Sequence, residues 1–189
     1  ISADEAVQHT SEGDIIPSSK LLSNADARIV ETGKEYLLRE ALSRMSMDYD
    51  YILIDTPPAL SILTINSLTA SSACVIPAQA DIFSMEGISD LFNTIDVVKK
   101  YCNSDLQVIG IFLTRFNERT IISRDVEEMV AQAAAQYNTK LFKTKIRECT
   151  ALKESQAVKE NIMNYAPKSN AAVDYRALTT EIFGLEGAC

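Results

Sequence analysis

Short apolar runs alternate with amphipathic stretches along nearly the whole chain, and this alternation restricts the fold most. "YILI" (51–54), "ACVIPA" (73–78), "LQVIGIFLTRF" (106–116) and "TKLFKTKI" (139–146) read as strands, and "DIIPSS" (14–19) as a short strand and turn. Between them lie segments of helical period. "SADEAVQ" opens with the capping-box spacing of Ser2 and Glu5. "KEYLLREALSRM" places Tyr36, Leu37, Leu38, Ala41, Leu42 and Met45 at helical intervals. "LTINSLTAS", "SMEGISDLFNTIDVVKKY" with Ser84 as N-cap, "SRDVEEMVAQAAAQY" and the stretch 170–183 complete the set. Apolar strands alternating with amphipathic helices predict an α/β fold, a mostly parallel central sheet with helices on both faces. No internal repeat or low-complexity linker divides the chain, so a single domain over 1–189 is expected.

Composition narrows the classes. With 189 residues, 47% hydrophobic and 23% charged, the chain can bury a real core. No apolar run has the length of a membrane span, and no signal peptide opens the chain. It begins at Ile1 without a methionine and is expected to be a piece of something longer. Cys74, Cys102, Cys149 and Cys189 lie far apart with no CxxC pair, and read as reduced thiols of a cytoplasmic protein. One histidine, His9, leaves no material for a His-based triad or a His-rich metal site.

The stretch "DYDYILIDTPPALSILTINSLTA" (48–70) carries the functional question. Three apolar residues run into Asp55, and then Pro57 and Pro58 end any strand. Ligands of open α/β sheets bind beyond the carboxyl ends of strands. A carboxylate there can face a magnesium ion through its water shell. An Asx-turn ahead of the prolines explains the same residues, and spacing leaves both readings open.

From Tyr49 to Lys100 the sequence resembles the ParA/Soj family of partition ATPases, of the deviant-Walker group. The likeness rests on the Asp-x-Pro-Pro turn, the helix start "LTINSL", the strand end "VIPAQ" and the helix "EGISDL". It continues through "GIFLTRFNERT", "LFKTKIRECTALKESQA" and "YAPKSNAAVDYRAL". The resemblance implies a P-loop NTPase-like fold that is N-terminally truncated; a natural remnant that never had the phosphate loop is the alternative. The family's Gly-rich phosphate loop is not in the sequence: Gly33-Lys34 is followed by Glu35, and Arg28 stands where the motif's first glycine would be. The family's second acidic motif is missing too, so no catalytic residue is assigned, and the chain by itself is expected to bind ATP weakly or not at all.

Carried over residue by residue, the resemblance makes Asp55 the Walker B aspartate, supporting Mg2+ through water. Thr56, Pro57 and Pro58 form the turn that responds to the γ-phosphate. Gln79 would line the same cleft, although a solvated loop glutamine explains it equally. Arg115 and Asn117 lie where the family contacts the base, against the alternative of a surface ion pair for Arg115. Ile146 would touch the adenine, but the family's proline in that turn is replaced around Arg147.

The net charge is −8, from 18 basic and 26 acidic residues, which excludes a protein that coats nucleic acid with its whole surface. Between Asn138 and Arg176 there are eight basic and four acidic residues, so that segment is +4 and the rest −12. The resemblance implies nonspecific DNA binding there, with Lys145, Arg147, Lys153, Lys159 and Lys168 as candidates. The Lys/Glu alternation of "LKESQAVKEN" also fits a merely solvated helix face. The tail "LTTEIFGLEGAC" has acids where a membrane-binding helix would be basic, so no membrane is expected.

The implied function of the intact protein is therefore a ParA-type ATPase. It would bind ATP and Mg2+, dimerise, and bind nonspecific DNA. It would segregate chromosome, plasmid or mobile-element DNA with a ParB-type partner, in the cytoplasm and on the nucleoid when ATP-bound. The alternative is a nucleotide-free, ParA-like protein-interaction module. Without the family's neighbouring strand, residues 51–54 are expected to leave a bare apolar edge that invites pairing with another chain.

Overall fold

The computed structural model describes residues 2–81 and 83–184. It forms two compact units, Ile1–Ala73 with Asn93–Gln107, and Cys74–Phe92 with Val108–Cys189.

In the first unit, helix α1 (Ala3–Ala6) has the expected capping box: the Glu5 N–H donates to Ser2 Oγ, and the Ser2 N–H to the Glu5 carboxylate. Strands β1 (Gln8–Thr10) and β2 (Gly13–Ile15) make an antiparallel hairpin pairing Gln8 with Ile15. Asp14 on β2 accepts from Tyr49 at 2.8 Å and lies 2.7 Å from the His9 ring. These two partners, His9 first, hold its carboxyl below the usual range. Helices α2 (Ala25–Arg28), α3 (Leu37–Ser43) and α4 (Ile62–Ala70) follow. Asp26 caps the start of α4 by accepting the Ile62 N–H at 2.8 Å. Buried Asn66 accepts from the Leu38 N–H and donates to the carbonyls of Lys34 and Ile62, tying α4 to the chain before α3. Ile62, Leu68, Ile95, Val98 and Leu106 are buried.

The strand expected at 51–54 does not form: residues 51–57 are in neither helix nor strand. Tyr51 is 64% exposed, Ile52 51% and Leu53 86%. Local β preference is weak without a ladder to join. Among the described residues the strands pair only as β1 with β2, and β3 (Ala73–Gln79) with β4 (Gln107–Thr114).

In the second unit β4 is the centre, with Ile111 and Leu113 wholly buried. The segment expected as a strand at 139–146 is an extended chain bridged in parallel to β4 and its extension, at Ile111–Leu141 and Phe116–Arg147. Phe142 and Ile146 donate to the carbonyls of Ile111 and Leu113, both at 2.8 Å. The ladder lapses between them because Lys143 and Thr144 give their N–H groups to the carboxylate of Glu181, at 2.8 and 2.9 Å.

Helix α5 (Phe83–Tyr101) takes in Ser84, which is not the N-cap expected of it; Asp81 instead accepts from both the N–H and the hydroxyl of Ser84. Helix α6 (Ile121–Gln136) buries Val126, Val130 and Ala134, and Tyr137 at its end stacks on Phe92 at 4.0 Å. Helix α7 (Thr150–Val158) covers most of the Lys/Glu stretch that fitted a solvated helix face, and α8 (Ile162–Tyr165) lies where no helix was expected. Helix α9 (Asn170–Phe183) has the expected bounds. No helix among the described residues is long and apolar enough to cross a membrane. Residues 185–189 of the tail, including Cys189, lie outside the described residues.

Candidate functional site

The second unit carries a cavity of about 250 Å³ beyond the end of β4. Thr114 and Arg115 form one wall. Ile146, Arg147, Glu148 and Cys149 form another, and Leu152, Lys153, Gln156 and Tyr175 complete the lining. That volume lies below the roughly 300–1,000 Å³ of drug-sized sites, too small to enclose a whole nucleotide.

Arg115 leaves β4 with φ at 51°, a left-handed conformation that costs a residue with a Cβ about 1 kcal/mol or more. The turn re-aims the chain so that the exposed guanidinium reaches Gln79 Oε1 at 3.5 Å. Thr114 Oγ1 donates to the Ala78 carbonyl at 3.3 Å, joining the ends of β3 and β4. Gln79 and Arg115, two of the expected site residues, are thus brought together. Asn117 is exposed and forms an Asx-turn, its side chain accepting the Arg119 N–H at 3.1 Å. Ile146 is 3% exposed and packs with Phe142 and Leu178, so it lines the cavity from the core side.

Arg147 is clamped. Asp174, on α9, accepts from the Arg147 N–H at 3.0 Å, from Nε at 2.9 Å and from Nη2 at 2.6 Å. The paired Asp174 carboxylate raises the pKa of the guanidinium further, against a smaller effect of burial. Lys153 is paired with Glu148 at 3.0 Å, which lowers the pKa of that carboxyl. Lys145 is paired with Glu127 at 2.6 Å and sits 4.4 Å from the centre of the Phe116 ring. Of the five expected DNA contacts, these three already hold carboxylates. Lys159 is the left-handed C-cap of α7, and it and Lys168 are exposed.

In the first unit Asp55, Thr56, Pro57 and Pro58 are all exposed in the irregular segment. Among the described residues no group of three or more His, Cys, Asp or Glu could hold a metal ion. The cavity lining mixes apolar Ile146, Leu152 and Tyr175 with polar Arg115, Glu148, Lys153 and Gln156. Asp55 offers a cation a single carboxylate, and the sequence holds no Gly-rich phosphate loop.

Sequence reasoning missed Asp174, Glu181 and Tyr175. Asp174 and Glu181 are seven apart, which puts them on one face of α9, but nothing local says what that face meets. Cys74, Cys102 and Cys149 are not in disulfides among the described residues.

A family model described as an AAA domain matches residues 1–108. The sporulation initiation inhibitor protein Soj of Bacillus subtilis is 38% identical over 170 residues, 89% of this chain and 66% of that protein. The chromosome-partitioning ATPase Soj of Thermus thermophilus is 34% identical over 179 residues, 94% of this chain and 69% of that protein. A crystal structure of cobyrinic acid a,c-diamide synthase from Mycobacterium smegmatis, with bound ATP analog and magnesium, is 30% identical with a TM-score of 0.78, and covers 94% of this chain and 65% of that one. This chain therefore spans just under two thirds of the Bacillus and Mycobacterium proteins. The match in sequence along nearly the whole chain, and the shared α/β, P-loop NTPase-like fold, agree in one assignment: this chain belongs to the ParA/Soj family of partition ATPases.

Proposed function

We propose that this chain is part of a ParA-type partition ATPase and forms the base side of its nucleotide site. One observation carries this reading: the cavity beyond β4 is walled by Arg115 and the 146–149 segment, the stretches whose sequence resembles the family's base-contacting loops, with the family's proline replaced around Arg147. A planar base would lie against Ile146 and the Tyr175 side of the cavity, with its polar edge toward Arg115 and nearby backbone groups. Arg147 is kept from the ligand by Asp174 and shapes the wall instead.

The rest of the mechanism belongs to the intact protein. ATP with Mg2+ would supply the transferable phosphoryl group, and Asp55 would hold a water of the metal's shell. The Thr56-Pro57-Pro58 turn would follow the γ-phosphate, and Gln79 and Asn117 would border the cleft. Phosphoryl transfer to water needs positioning and charge neutralisation rather than covalent catalysis by the protein. The ATP-bound protein would form a homodimer and bind nonspecific DNA in the cytoplasm, on the nucleoid. A ParB-type partner would stimulate hydrolysis and release. Lys159 and Lys168, exposed, are the better placed of the candidate phosphate contacts.

The test is a two-dimensional 15N NMR titration of the chain with AMP and with Mg-ATP. Millimolar binding is expected, with shifts concentrated at 114–117 and 146–149. Absence of shifts there at saturating nucleotide, or micromolar affinity carried by other residues, would refute the reading.

A further inference from the structure

We propose that Asp174 and Glu181 of α9 are positioning residues for the cavity, holding the 143–147 segment that forms its wall. The proposal rests on the cavity being a base site.

The geometry is specific. Glu181 takes two consecutive backbone N–H groups, one on each oxygen: Lys143 at 2.8 Å and Thr144 at 2.9 Å. Asp174, 7% exposed, takes the N–H of Arg147 and clasps its guanidinium with both oxygens. On its other side the same segment is tied to β4 and its extension, through the Phe142 and Ile146 N–H groups and the Ile146 carbonyl, which accepts from Phe116. The amides of Phe142, Ile146 and Glu148 thus turn to β4 and its extension, and those of Lys143, Thr144 and Arg147 find their acceptors in the two carboxylates on one face of α9.

A helix backbone has no spare acceptors in its interior, so α9 can hold a neighbouring segment only through side chains. The segment so held contributes Ile146 and Arg147 to the cavity, with Glu148 and Cys149 next along the chain. Asp174 has a second effect: by engaging Arg147 it removes one guanidinium from competition for the ligand. Neither carboxylate is required to touch the base.

The experiment combines hydrogen exchange with the AMP titration, on the whole chain, at a temperature where circular dichroism shows every variant folded. Asp174→Asn tests the clasp. Because that residue is buried and its variant can fail to fold, Glu181→Gln, at a half-buried position, is the second arm. Faster exchange is expected at Lys143 and Thr144 in Glu181→Gln, and at Arg147 in Asp174→Asn. AMP affinity should fall on the order of tenfold in each, the equivalent of about 1.4 kcal/mol. Glu181→Asp, which keeps the charge, should recover part of the loss. Faster exchange with wild-type AMP affinity would make the role merely structural and overturn the proposal alone. If the wild-type chain shows no AMP-dependent shifts at the cavity, the base-site reading falls and takes this proposal with it.

Discussion

Gly110 lies in β4 under the ring of Phe142, and Gly110→Ala is the sharpest test of how the second unit is packed. A Cβ at this position would lie 2.8 Å from both Cδ2 and Cζ of Phe142, and nearer still to Cε2. Carbon contacts are optimal at about 3.5–4.0 Å, so either the ring or the strand must move. The ring has little freedom: Phe142 is 1% exposed and packs with Ile146 and Leu178. The strand is equally fixed, because the N–H and carbonyl of Ile111 are bonded to the Lys140 carbonyl and the Phe142 N–H, both at 2.8 Å. Overpacking of this kind costs about 1–3 kcal/mol, and an off-rotamer ring about 0.5–1.5 kcal/mol more. A loss of about 2–4 kcal/mol is a large share of the roughly 5–15 kcal/mol of a typical domain. Urea denaturation followed by circular dichroism, with exchange of the β4 amides as a local probe, measures it. The double variant Gly110→Ala/Phe142→Leu removes the clashing ring edge and should be less destabilised than the two single changes added together, by about 1 kcal/mol or more. A Gly110→Ala protein within about 0.5 kcal/mol of wild type, or strict additivity in the double variant, would refute this packing.

Two further predictions concern the other features. Burial tends to raise the pKa of Glu181, but the N–H groups of Lys143 and Thr144 outweigh it and the carboxyl titrates below its ordinary value. A lowered folded pKa means the bond's contribution is full above the ordinary carboxylate range and is lost as pH falls through the folded value. Exchange protection at Lys143 and Thr144, corrected for intrinsic rate, should therefore hold near neutral pH and drop in acid, and Glu181→Gln should abolish that dependence; a pH-independent wild type would count against the bond. Leu53→Asp, at a side chain 86% exposed, should change stability by no more than about 0.5 kcal/mol and should reduce self-association in light scattering, whereas a loss of several kcal/mol would mean that 51–54 is a packed strand.

Much of the fold was legible because helix signals are local. The Ser2–Glu5 pair announced α1, and the apolar period announced α5, α6 and α9. The strands at 51–54 and 139–146 were misread for one physical reason, that a strand exists only through its neighbour. "YILI" has the right composition but joins no ladder, and the 139–146 run gives two of its amides to a helix side chain instead. The end of helix α7 was obscured because it stops on Lys159 in a left-handed conformation, where glycine would have been the signal. At the site, Arg115 and Ile146 could be named from motifs, and the structure sets both on the cavity. Arg147 was weighed as a lost proline and a DNA contact. Its partner Asp174 lies 27 residues away, and no spacing rule links the two.

The central claim is that the cavity beyond β4 receives a nucleobase, and photolabelling tests it most directly. The chain is irradiated with an 8-azido-adenosine nucleotide, digested, and the adducts located by mass spectrometry. The account predicts labelling within 114–117 and 146–156, suppressed by excess AMP. Labelling confined to other segments, or insensitive to AMP, would contradict it.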